Sequence, residues 1–311
     1  MTNIFCTIKK KPYISTRLTH IKVHTKMFLI ADCGSTKCDW AVSDGSNVNI
    51  FTGNGFNPVH TGVEAMEKSV GQAVAGNVDS GTIDEIHFYG AGCIGGDASE
   101  KVRGVLAKVF PSAKISTYSD LVGAGRALFK TDNGIAAILG TGCNSGVYVG
   151  GDITEFIPPM GYILGDEGSG ASIGKRLVNA IYKREIPDSY RQMFERECMM
   201  GYDDVIYGVY RSETPAQFLA SLVPFINDHI GDNIFRNLVL TEFDLFFNRN
   251  IIRLDRPKNY GIGFVGSIAY NFAEILKDAA RFHGLSIYSI IQKPIQRLAE
   301  YHNEILGMEK R

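Results

Sequence analysis

No stretch of this 311-residue chain approaches the roughly 20 consecutive apolar residues of a membrane helix, so no membrane partner is expected. The six cysteines (Cys6, Cys33, Cys38, Cys93, Cys143 and Cys198) include no CxxC pair and no regular framework. That excludes a cysteine-ligated zinc module and a disulfide scaffold, and it fits a reducing, cytoplasmic setting. The seven histidines show no metal-ligand spacing. A Walker-type GxxxxGK[ST] loop is also missing. Residues 1–26 contain no acid, but they hold Lys9, Lys10, Lys11, Arg17, Lys22 and Lys26. The rest of the chain therefore carries 26 basic against 33 acidic residues, a net of −7. A nucleic-acid-binding body would show a basic excess, so no nucleic acid partner is expected.

The basic leader lacks the apolar h-region of a secretory signal and has no helix or strand periodicity. Residues 1–26 are expected to be an irregular extension, with Met27 directly before the first strand. At this length two domains are the natural expectation, and an internal repeat supports them. In the first copy "FLIAD" runs into "CGSTK", then "CDWAVS", "DG" and "SNVNIF". In the second, "IAAIL" runs into "GTGCNS", then "GVYV", "GGD" and "ITEFI". Each is a strand, a Gly/Ser/Thr turn, a second strand, a hairpin turn and a third strand. A helix over residues 61–76 follows the first copy, with Val63, Met66, Val70 and Ala73 on one stripe. Each half also has a later strand–glycine–helix unit, "IHFYGAGCIGGDASEKVRGVLAKVF" and "YGIGFVGSIAYNFAEILKDAARF". A duplicated α/β domain facing itself across a cleft accounts for this pattern. Two glycine turns could then meet one polyphosphate from opposite sides, offering unpaired N–H groups and hydroxyls.

"DCGSTKCDW", "LGTGCNSG", "LGDEGSG" and "GFVGSIA", in that order, resemble the sugar kinase/Hsp70/actin superfamily of ATPases. More narrowly they resemble the BadF/BadG/BcrA/BcrD ATPase family and its N-acetylglucosamine kinase branch, from Met27 to about Tyr301. The resemblance implies a duplicated ribonuclease H-like, actin/hexokinase-type fold with an interdomain cleft. Residues 27–120 plus 292–311 would form the N-terminal domain and residues 121–291 the C-terminal one. It also implies ATP and Mg2+. Asp32 would serve the metal ion, and Gly34, Ser35, Thr36, Lys37, Thr141 and Gly142 would serve the phosphates. Gly266 and Ser267 would lie near the nucleoside. Asn57, Gly161 and Asp166 would bind the sugar, with Asp120 as catalytic base. Two features depart from the family pattern: Cys33 and Cys143 lie in the phosphate loops, and "PPM" precedes Gly161.

The residues themselves allow these roles and simpler ones. Phosphoryl transfer needs positioning, charge neutralisation and a group to take the acceptor's proton. Asp32, Asp120 and Asp166 each follow a strand-like or glycine-rich stretch. An Asp at position 32 also suits a turn, and one at position 120 suits the N-cap of "LVGAGRALF". Asp166 and Glu167 would be favoured near a helix start by its dipole alone. Lys37 is equally a surface lysine, and Trp40 is expected in the core. The function expected is ATP-dependent phosphorylation of an amino sugar, N-acetylglucosamine to its 6-phosphate, with a homodimer as a compatible assembly. Two alternatives share the fold. A reductase-activating ATPase would need cysteines for an iron–sulfur cluster. A DNA-binding sugar sensor would need a helix-turn-helix, which 26 irregular residues cannot supply.

Overall fold

In the computed structural model, residues 26–257 and 259–309 are described, with side chains up to Ile305. The expected irregular extension therefore lies, apart from Lys26, outside the described residues. Ten strands form two five-stranded sheets. The first holds β1 (Phe28–Cys33), β2 (Lys37–Ser43), β3 (Val48–Asn54), β4 (Glu85–Gly90) and β5 (Lys114–Ser119) in the order β3-β2-β1-β4-β5. The second holds β6 (Gly134–Leu139), β7 (Cys143–Val149), β8 (Asp152–Phe156), β9 (Ile262–Val265) and β10 (Ile287–Ile291) in the order β8-β7-β6-β9-β10. In both, the first three strands pair antiparallel and the last two join in parallel. The repeat read in the sequence is thus a repeat of topology. The molecule is a duplicated ribonuclease H-like α/β fold.

The central strands are apolar without alternation because both of their faces are covered. On β1, Phe28 and Ile30 enter a core between the sheets, whereas Leu29, Ala31 and Cys33 enter one behind the first sheet. On β6, Ala136 shares the middle core, and Ile135, Ala137 and Leu139 face a third one. The edge strand β8 alternates in burial, and β3 does so from Ile50 onwards, each leaving one face wet. Behind the first sheet lie α1 (Val63–Val74) and α2 (Gly96–Val109). Helix α1 is slightly shorter than expected: Met66, Val70 and Ala73 are buried, but Val63 is exposed. Trp40 is buried beside Phe88 and Phe51.

Helix α3 (Asp120–Phe129) leaves the first sheet and packs on the second, mainly on β6. The second half holds α4 (Gly161–Leu164) and α5 (Gly170–Tyr182). Helices α6 to α10 follow over Asp188–Glu197, Tyr202–Tyr210, Pro215–Ala220, Val223–Asp228 and Asn233–Phe246. After a π-helical turn, Phe247–Ile251, come α11 (Ser267–Asn271), α12 (Ala273–Phe282) and α13 (Ile295–Glu309). Helix α13 follows the fifth strand of its repeat as α3 does, and it packs on β1, β2 and β3 of the other sheet and on α3. Each repeat's last helix therefore covers its partner's sheet, and Leu121, Val122, Ala124, Leu298 and Ala299 fill the middle core.

A polar relay lies where α13 crosses the first sheet. Arg126 Nη1 donates to the Tyr89 hydroxyl at 2.8 Å, which lies 2.7 Å from His302 Nε2. With its oxygen accepting from Arg126, that hydroxyl gives its proton to an unprotonated Nε2. The His302 ring stacks on His87 with centroids 3.8 Å apart. Burial, with the charges of His87 and Arg126 behind it, pushes the His302 pKa down to about 2. Burial also lowers His87 to about 4, assisted by Arg126 and Lys26 against the opposing pull of Glu85.

Both folded values lie below the ordinary 6.5, so the unfolded chain takes up the extra protons. The contribution is whole above pH 6.5 and is lost as pH falls towards the folded values. His302→Gln keeps an acceptor for Tyr89 and does not titrate. Its unfolding free energy should gain on the wild type by about 1.4 kcal/mol per pH unit below 6.5, or about 2 kcal/mol at pH 5. Denaturant titrations from pH 7.5 to 5 measure this difference, in which the other titrating groups cancel. A flat difference would mean that His302 ionises normally.

Candidate functional site

The two glycine turns are built alike. In the first, Gly34 N–H donates to Lys37 O at 2.9 Å; in the second, Gly140 N–H donates to Gly142 O at 3.0 Å. The expectation that every N–H of these turns would be free is therefore corrected. The leading glycine closes each turn, and the N–H groups of Ser35, Thr36, Thr141 and Gly142 have no partner among the described residues. Residues 34–37 are exposed, as an anion-binding loop must be.

Neighbouring glycines buttress both turns. A side chain at Gly55 would lie 2.1 Å from Gly34 O, and Gly55 N–H donates to Thr36 O at 3.0 Å. Gly266 has φ +120°, where a side chain is strained. A Cβ there would lie 2.3 Å from Leu139 O, so the Gly266–Ser267 element backs directly onto the second turn. Ser267 is exposed at the start of α11.

Three carboxylates stand beside the turns. Asp32, half-buried at the end of β1, has its pKa raised to about 7. Burial is the main cause, reinforced by Asp120 and Asp39 and opposed by Lys37. Asp120 is also raised by burial, against hydrogen bonds from Leu121 N–H (2.8 Å) and the Asn144 side chain. It is the first residue of α3 but not its cap: Ser119 Oγ accepts from Val122 N–H at 3.2 Å. The N-cap role open to Asp120 in the sequence is thus filled by Ser119.

Asp166 is buried with φ +59° and accepts from Cys143 N–H at 3.3 Å. Burial raises it to about 6, with Cys143 N–H and Lys175 opposing and Glu167 assisting. Asp166 does not sit at a helix start, because α5 begins at Gly170 with Ser169 as its cap. Asp120 and Asp166 therefore both hold the second turn, through Asn144 and Cys143, while Asp120 also faces Asp32 of the first.

The remaining candidates lie further out. Asn57 packs against Gly92, and its Oδ1 accepts from Val59 N–H at 3.0 Å. Gly161, φ +71°, opens the exposed α4 turn with Met160, Ile163 and Leu164. Lys37 is exposed and pairs with Asp39 at 3.0 Å. Glu167 turns away from the cleft, to Arg249 (2.7 Å) and Asn250 (3.1 Å) of the π-helical turn. Burial pushes the Glu167 pKa up, but these hydrogen bonds outweigh it and hold the carboxyl low.

Sequence reasoning missed Asn144 and Glu242. Buried Glu242 on α10 binds Ser172, Arg176 and, at 3.4 Å, Gly168 N–H, and so pins the GDEGSG loop. Only the Asn of "GTGCNS" had a local signal, its place directly after a phosphate-type turn. A cavity of about 440 Å³ among α6, α9 and α10 includes Tyr190 paired to Asp232, and His229 paired to Glu197 outside it. It is remote from these residues in the chain and holds none of them.

Among the described residues no three His, Cys, Asp or Glu gather as a metal cage. A magnesium ion needs no such cage, since it is commonly held by one or two carboxylates, waters and phosphate oxygens. Asp32 fits that demand. It is a carboxylate beside a phosphate-type turn, its pKa raised mainly by burial, with the charges of Asp120 and Asp39 adding to it.

Duplicated sheets, swapped last helices and paired glycine turns around a carboxylate cleft define the sugar kinase/Hsp70/actin superfamily of ATPases. No protein-family model and no curated protein matches the chain. Among solved structures it is similar to a candidate N-acetylglucosamine kinase from Porphyromonas gingivalis: 34% identity, 89% of this chain and 99% of that one covered, TM-score 0.85. With so much of both chains matched, this chain belongs to the same family as that protein. It shares the fold alone with a candidate N-acetylglucosamine kinase from Chromobacterium violaceum (18% identity, 89% and 99% covered, TM-score 0.67). The same holds for the AMPPNP-bound MreB 5 of Spiroplasma citri (10% identity, 92% and 98% covered, TM-score 0.58). No helix among the described residues is long and apolar enough to cross a membrane.

Proposed function

We propose that the protein is a sugar kinase that transfers the γ-phosphoryl group of ATP to an amino sugar, with N-acetylglucosamine, giving the 6-phosphate, as the leading acceptor. The observation that carries this reading is the meeting of Asp32, Asp120 and the second turn in one cleft, in a family whose Porphyromonas member bears that description. The free N–H groups of Ser35, Thr36, Thr141 and Gly142 would receive phosphate oxygens, with Gly34 as the hinge of the first turn and Lys37 at its rim. Gly266 and Ser267 would border the nucleoside. Asp32 would hold Mg2+, which supplies charge neutralisation at the phosphates.

Asn57, Gly161 and Asp166 would orient the sugar. Asp120 would accept the proton of the attacking hydroxyl, with Asn144 and Leu121 N–H fixing its carboxylate. Residues 27–120 plus 292–311 would form the domain on one side of the cleft and residues 121–291 the domain on the other. A reductase activator is disfavoured by the thiols: Cys33, Cys38, Cys93 and Cys143 are buried, where they cannot bridge a cluster to a second subunit, and Cys198 alone among the described cysteines is half-exposed. A coupled ADP-release assay over hexoses, hexosamines and N-acetylhexosamines tests the proposal. Preferred turnover of an N-acetylhexosamine supports it; sugar-independent ATP hydrolysis alone would overturn it.

A further inference from the structure

A second cavity, of about 250 Å³, opens on the far side of the first sheet from α1 and α2, where β1, β4 and β5 meet α3 and α13. It contains none of the residues assigned above to nucleotide, metal or sugar. Three permanent cations line it: Lys26, Lys114 and Arg126. One carboxylate joins them, Glu85, and it is already paired with Lys26 at 2.7 Å. Lys114 and Arg126 have no ion pair among the described residues.

Arg126 is the unusual group. It is half-buried, and its hydrogen bonds go to neutral oxygens, the Tyr89 hydroxyl (2.8 Å) and the Gly151 carbonyl (3.3 Å). Its guanidinium lies 4.1 Å from the Tyr118 ring centroid and 5.5 Å from that of Tyr301. A partly desolvated cation held by rings and neutral dipoles, with no counter-ion, is left with electrostatic demand for an anion. A separate polar signal comes from His87, which lines the same cavity and whose buried Nδ1 has no partner; it would donate only in the tautomer that carries its proton there. The hydroxyls of Ser116 and Tyr118 add donors to the lining.

We propose that this cavity is a second ligand site, which binds a phosphate group, as a phosphomonoester or as inorganic phosphate. Two cations without counter-ions match a dianion better than a carboxylate, and Arg offers the planar fork that recognises phosphate. The cavity is too small for a polynucleotide, and the surrounding body is acidic overall. The site lies on α3, six residues beyond Asp120, about 9 Å along the helix axis. An anion bound at Arg126 therefore rests on the element that carries Asp120.

The test is calorimetric titration of the full chain with inorganic phosphate, N-acetylglucosamine 6-phosphate and N-acetylglucosamine. Saturable binding of a phosphate-bearing ligand is expected, weakened about tenfold or more by Lys114→Met and by Arg126→Met. Lys114 is exposed, so its variant keeps the fold even where Arg126→Met does not. Asp166→Asn should leave this binding in place, which separates it from the cleft. In Asp166→Asn, tighter binding of the phosphosugar that Lys114→Met weakens would name a sugar phosphate as the source, and equal binding would name free phosphate. Binding unchanged in Lys114→Met, or no saturable binding of either phosphate, would each overturn the proposal. The titration needs no turnover, so its failure is distinct from failure of the kinase reading in the ADP assay.

Discussion

Asp120→Asn is expected to lower kcat by about 10²–10⁴-fold, the usual contribution of a positioned base, while the sugar KM stays within several-fold. Asparagine keeps the volume and the oxygen that accepts from Leu121 N–H, but it cannot take a proton. The fold should not suffer, because Ser119 caps α3, and a lost cap would itself cost about 1 kcal/mol. Burial raises the pKa of the Asp120 carboxyl, and the hydrogen bonds from Leu121 and Asn144 oppose that rise. Steady-state kinetics together with a melting curve distinguish the outcomes. Turnover near wild type with only a lowered Tm would make Asp120 structural and move the base role to Asp166.

The topology was legible because its determinants are local. Apolar runs without alternation marked β1 and β6 as strands covered on both faces, and the repeated order of turn types exposed the duplication. Short glycine turns with following hydroxyls were visible for the same reason: their conformation is set within five or six residues. What escaped depends on partners distant in sequence. Nothing around Glu242 announces that it will bind Ser172 and Gly168, some 70 residues away. Helix α3, "DLVGAGRALF", is apolar nearly all round, and no periodicity reports which sheet it covers. Helices α6 to α10 have no counterpart in the first half and so lay outside the repeat.

The electrostatics of Arg126, His87 and His302 were likewise invisible. Their sequence separation is large, and their shared burial is set only when α13 returns to the first sheet. Asn144 lies between these extremes. It stands in a readable motif, but its bond to Asp120 joins the two halves and appears only once the cleft is assembled.

Asp166→Asn should act on the other substrate term. If Asp166 accepts hydrogen bonds from the sugar hydroxyls, removing its charge costs a charge-assisted hydrogen bond of roughly 1.5–3 kcal/mol. That corresponds to a sugar KM raised by about 10- to 150-fold, with kcat much less affected. At pH 7.5 the wild-type group is ionised, since burial raises it only to about 6, so the substitution does remove a charge there. Asparagine can still accept from Cys143 N–H through its amide oxygen, which keeps the second turn in place. The ATP KM is therefore expected to move little, and this contrast carries the test. Asp166 lies against the turn proposed to meet phosphate, with Gly142 so near that a Cβ would come within 3.1 Å of its Oδ2. A variant with raised ATP KM and an unchanged sugar KM would show that Asp166 braces the phosphate turn, leaving sugar binding to Asn57 and the Gly161 turn.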